Sequence, residues 1–122
     1  MSNDDVRESS DYAAFAILVY EFASDEAAKT NQKIRNALRR KQLGPYDSVR
    51  IDRLRALKNE LQRELRSGAS SLFYRGATST LGSPEDFDQA RLVDDLAVRF
   101  PEFTKHDLGR MVSIALYVDY LR

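Results

Sequence analysis

Apolar residues recur along this chain at helical intervals, and the polar residues between them mark where helices start and stop. Ser9 or Ser10 is a fitting cap for a first helix that runs through YAAFAILVYEFA, from Tyr12 to about Ala23. Ser24, followed by Asp25 and Glu26, reads as the cap of a second helix, with two carboxylates placed against its dipole. That helix runs to Lys41 or Gln42, where Gly44 is the expected closing residue and Pro45 forbids continuation. A third helix is predicted from Asp47 or Ser48 to Ser67. Its Ile51, Leu54, Leu57, Leu61 and Leu65 form one narrow apolar seam.

GASSLFYRGATSTLG, residues 68 to 82, breaks the rhythm and predicts an irregular loop with a short helical turn around Ser71–Tyr74. Ser83, Pro84, Glu85 and Asp86 then signal a helix start, and Pro101 ends that helix after Phe100. Thr104 and Asp107 form a capping box that opens a last helix to Leu121.

Two of these helices lack a polar face. The first has one charged residue between Tyr12 and Ala23. The last, from Met111 to Leu121, has only Ser113, Asp119 and tyrosine hydroxyls as polar groups. A helix apolar all round must be covered all round. The expected fold is therefore all-α: a compact bundle of about five short helices in one domain, with the first and last helices at its centre. Residues 1–9, acidic and polar, are expected to be a flexible lead.

Either the other three helices wrap the central pair completely, or part of their apolar surface remains for a protein partner or a second copy. The residues assigned to such an interface are Phe15, Val19, Phe22, Met111, Ile114, Tyr117 and Tyr120.

Composition narrows the setting. Apolar residues at 43% and charged residues at 31% are ordinary for a globular protein. The absence of cysteine excludes disulfides, thiolate metal sites and cysteine nucleophiles, and favours the cytoplasm. The acidic opening, MSNDDVRESS, is the reverse of a signal peptide, and no apolar run is long enough to cross a bilayer.

Net charge is zero but unevenly spread. Residues 1–30 hold seven acidic and two basic side chains, residues 31–70 four and eleven, and residues 71–122 eight and six. A basic block thus sits between acidic flanks. It either meets an outside polyanion or pairs with its own neighbours.

Chemistry is harder to find. His106 is the single histidine, so no histidine pair or catalytic triad forms within one chain. Glu85, Asp86, Asp88, Asp94 and Asp95 read as a solvated acidic face. GATSTLG lacks the lysine of a phosphate-binding loop. No enzyme, cofactor, metal site or small-molecule substrate is expected.

The basic block is the remaining signal. Arg35, Arg39, Arg40, Lys41, Arg50 and Arg53 are arginine-rich, as phosphate contacts favour. Phe73, Tyr74 and Arg75 in the loop are placed to stack on unpaired bases. A solvated face and an acidic protein partner are the competing readings, and some cations have an acid three residues before them on the same helix.

LVDDLAVRFPEFTKHDLGRMVSIALYVDYL, Leu92 to Leu121, resembles the helix–turn–helix half of ribbon-helix-helix repressors. Those proteins read DNA with a short basic strand before the first helix. Here LGSPEDFDQA, acidic and proline-bearing, takes that place, so the reading element is missing. The same stretch is similar to ubiquitin-binding CUE domains in its helix, Phe100-Pro101, helix order, but no third helix follows. No family is assigned. The leading expectation is a non-enzymatic assembly or adaptor subunit working through protein contacts, within a nucleoprotein complex or outside one; the alternative is a nucleic-acid-associated protein using residues 33–66.

Overall fold

The computed structural model describes residues 9–22, 24–67 and 88–121, and these form an all-α bundle. Its helices are α1 (Ser10–Leu18), α2 (Ala27–Lys41), α3 (Ser48–Ser67), α4 (Gln89–Arg99) and α5 (Lys105–Leu121), with a single 3-10 turn at Ser24–Glu26. The predicted lead at residues 1–8 and the loop at residues 68–82, with its turn near Tyr74, lie outside the described residues.

α1 packs against α2, α3 and α5, while α5 packs against α1, α3 and α4. The two apolar helices are thus the central ones, each enclosed by three neighbours. Phe15 and Leu18 from α1 meet Leu54, Leu57 and Leu61 from α3, Leu92 and Leu96 from α4, and Leu108, Met111 and Val112 from α5 in one core. Nine residues is too short for α1 to persist as an isolated helix in water. Burial holds it, at roughly 1.5–3 kcal/mol for each large apolar side chain removed from solvent.

Several caps stand where local chemistry puts them. Asp47 Oδ1 accepts from the Val49 and Arg50 amides and starts α3. Thr104 Oγ1 accepts from the Asp107 amide at 3.1 Å and starts α5. Ser9 belongs to this group rather than to a flexible lead, because its Oγ accepts from the Tyr12 amide at 3.0 Å.

Other boundaries depart from expectation. α1 stops at Leu18 instead of Ala23: Tyr20 and Glu21 turn back to donate to the Ile17 and Leu18 carbonyls, and Glu21 swings toward α3. α2 closes at Gln42, not Gly44. Gln42 takes a left-handed conformation, its amide donates to the Arg39 carbonyl, and the Leu43 amide donates to the Leu38 carbonyl. That pair of bonds is a Schellman closure, with Leu43 packing on the core behind it. The helix expected from Ser83 to Phe100 is described only as Gln89–Arg99: Asp88 is extended and caps it by accepting from the Arg91 amide, and residues 83–87 lie outside the described residues.

Candidate interaction surfaces

The central helices are not wholly covered. On α1, Tyr12, Ala16 and Ile17 are only half-buried, and Tyr20 in the following turn is 58% exposed. On α5, Ile114 is half-buried and Tyr117 is 57% exposed. An open hollow of about 650 Å³ lies between Tyr12, Gly109, Arg110, Ser113, Ile114 and Tyr117. A second, of about 360 Å³, is lined by Ala16, Ile17, Tyr20, Glu26, Thr30 and Lys33. Tyr12 is also the ring over which Arg110 lays its guanidinium, 3.8 Å from the centroid.

The residues expected at an interface divide on this surface. Phe15, Val19 and Met111 are interior, at 0–1% exposure, and offer nothing to a partner. That corrects their assignment: the inner side of each central helix is consumed by the chain's own core. Phe22, Ile114 and Tyr117 do reach the surface. The side chain of Tyr120 lies outside the described residues. Tyr12, Ile17 and Tyr20 were missed. Their signal was faint, since tyrosine hydroxyls at positions 12 and 20 are the only mark of a wetter side on an otherwise apolar segment.

The basic block divides too, and along a helix boundary. α3 spends most of its cations internally. Arg50 makes a two-pronged contact with Asp11 of α1, at 2.9 and 2.6 Å, and donates to the Glu102 carbonyl. Arg53 grips the Glu102 carboxylate and also donates to the Arg99 carbonyl. Both guanidiniums stack 4.6 Å above aromatic rings, Arg50 over Phe103 and Arg53 over Phe100. Arg63 pairs with Glu60, which also holds Arg99 at 2.9 Å.

Deeper in, Arg55 holds Glu21 through bonds of 2.8 and 3.1 Å and reaches Asn31 at 2.6 Å. Lys58, equally buried, donates to the Glu21 carbonyl at 3.1 Å. Burial pushes the Glu21 carboxyl pKa up, but hydrogen bonds from Arg55 and Thr30 and the charges of Arg55 and Lys58 outweigh it and hold the group below its ordinary value. Lys58 is shifted below the usual lysine range because its ammonium has been taken out of water. Glu102 is held low chiefly by its hydrogen bond from Arg53. Arg50 and Arg53 thus have acids of the flanking segments as partners, as do Arg55 and Lys58, which leaves them less available to a polyanion than the sequence alone implies.

α2 behaves differently. Arg35, Arg39, Arg40 and Lys41 are exposed, as are Lys33 and, one turn before the block, Lys29. Arg35 stacks its guanidinium 4.2 Å over the Tyr46 ring. Phe73, Tyr74 and Arg75 lie outside the described residues.

His106 is exposed in the first turn of α5. Among the described residues, no cluster of three metal-ligating side chains forms, and no helix is long and apolar enough to cross a membrane. Comparison with protein-family models, curated proteins and solved structures returns no match, so any functional reading stands on the chain's own residues.

Proposed function

We propose that the protein is a non-enzymatic assembly or adaptor subunit that docks another protein on the strip formed by α1 and α5. The observation that supports this reading is the pair Tyr20 and Tyr117, each more than half exposed, together with half-buried Tyr12, Ile17 and Ile114 at the edge of the core on the two most apolar helices. Tyrosine with aliphatic neighbours is the composition of protein-contact hot spots, where a rigid amphipathic ring buries area at small entropic cost. Two shallow hollows between the rings suit inserted side chains better than a small molecule, which needs deeper enclosure. Lys33 and Glu26 flank one hollow, while Lys105 and Arg110 flank the other and call for acidic side chains opposite α5.

The test is affinity capture from the protein's own cells with wild type and with Tyr20→Ser/Tyr117→Ser, alongside light scattering of the purified chain. A partner retained by wild type and lost by the double variant supports the reading. A chain that stays at its monomer mass of 14.0 kDa and captures nothing dependent on those two tyrosines overturns it.

A further inference from the structure

One helix carries cations alone: α2 holds Lys29, Lys33, Arg35, Arg39, Arg40 and Lys41 and not one acidic residue. Its inner side is Thr30, Ile34, Ala37 and Leu38, all buried, and it packs chiefly against α1. At about 100° per residue the opposite arc resolves into rows. Lys29, Lys33 and Arg40 make one edge, Arg35 and Arg39 the other. Gln32 and Asn36 lie between them, joined by a 3.1 Å hydrogen bond from Gln32 Nε2 to Asn36 Oδ1. Among the described residues no carboxylate pairs with Lys29, Lys33, Arg39 or Arg40, in contrast to Arg50, Arg53, Arg55 and Arg63 on α3.

We infer that the outer face of α2 docks on duplex DNA, with the two cation rows on phosphates and the amide row toward base edges. Three features select this occupant. The arc holds no exposed apolar or aromatic side chain larger than alanine, so a protein partner would find no hot spot there, only solvated pairs worth little. Phosphodiesters need no such anchor, because neutralising them releases condensed counterions. And a helix about 10–12 Å across, free on its outer side, fits the major groove of DNA at about 12 Å, whereas the deep, narrow groove of RNA does not admit it. With zero net charge the molecule exerts no long-range pull, so binding is short-ranged, on the order of 10⁻⁶ M or weaker.

The test is fluorescence anisotropy with a labelled DNA duplex of about two helical turns, an RNA duplex of the same sequence, and polyglutamate as competitor. Four neutralised phosphates predict binding about 10²-fold weaker when salt rises from ~50 to ~200 mM. Lys29→Gln, Arg39→Gln and Arg40→Gln together should weaken binding at least about tenfold while leaving the circular-dichroism melt unchanged. Tyr20→Ser/Tyr117→Ser should bind DNA as wild type does, which separates this contact from the α1–α5 strip. Wild-type affinity in the triple variant, tighter binding to the RNA duplex, or equal displacement by polyglutamate would each overturn the inference.

Discussion

Arg55 of α3 and Glu21, just past the end of α1, are joined by two hydrogen bonds of 2.8 and 3.1 Å, and Glu21 is only 4% exposed. Lys58 approaches the same carboxylate at 3.5 Å. An ion this deep is stable only while its partners remain, because an uncompensated buried charge costs far more than the pair contributes. Glu21→Gln would leave Lys58 without its counter-ion and Arg55 with only Asp52 at 3.9 Å, and a loss of about 3 kcal/mol is expected from urea unfolding.

The same group sets an acid limit. A carboxylate whose folded pKa is depressed contributes stability that is fully present above its unfolded value, 4.5, and lost as pH falls through the folded one. Melting temperature should therefore decline as pH drops below about 5. Glu21→Gln should decline less steeply, keeping the part that belongs to Glu102, which is also held low. An unchanged slope would remove Glu21 from that role.

Arg50 ties three elements together, through Asp11, the Glu102 carbonyl and the Phe103 ring. Lysine at this position keeps the charge but loses the fork and the flat stacking surface. Arg50→Lys is expected to cost about 1–2 kcal/mol by denaturant midpoint. A neutral result would mean that charge alone holds α1 to α3.

Gln42 sits in the left-handed region, at a φ of 55°, where a Cβ is unfavourable. Gln42→Gly should raise stability by about 0.5–1 kcal/mol, and Gln42→Val should lower it by about 1 kcal/mol or more. The two melts moving in the same direction would contradict a backbone cause.

Leu54 is fully buried at the meeting of the helices, so Leu54→Ala should cost about 2–5 kcal/mol. Tyr20→Ser/Tyr117→Ser, on exposed positions, should stay within about 1 kcal/mol in total. A large loss in the tyrosine pair would mark those rings as structural and leave the docking strip without support.

Much of the architecture was legible in the chain. The Ile51–Leu65 seam, the Thr104–Asp107 cap and the central placement of two apolar helices all follow from residues within one or two turns of each other, or from the rule that an all-apolar helix needs covering. The boundary at Gln42 was less legible because a left-handed glutamine competes with a nearby glycine that is the better former. The candidate surfaces were legible only as an inventory. Exposed tyrosines and surplus cations were visible, but not which of them face water.

Sequence alone determined the helical class, most helix starts, and the presence of a basic block between acidic flanks, because caps and apolar periods act over a few residues. Tertiary structure decided how that block is used. Arg50 meets an acid 39 residues away and Arg53 one 49 residues away, whereas Lys29, Lys33, Arg39 and Arg40 of α2 pair with none among the described residues. Coulomb attraction depends on distance in space, and only folding sets it.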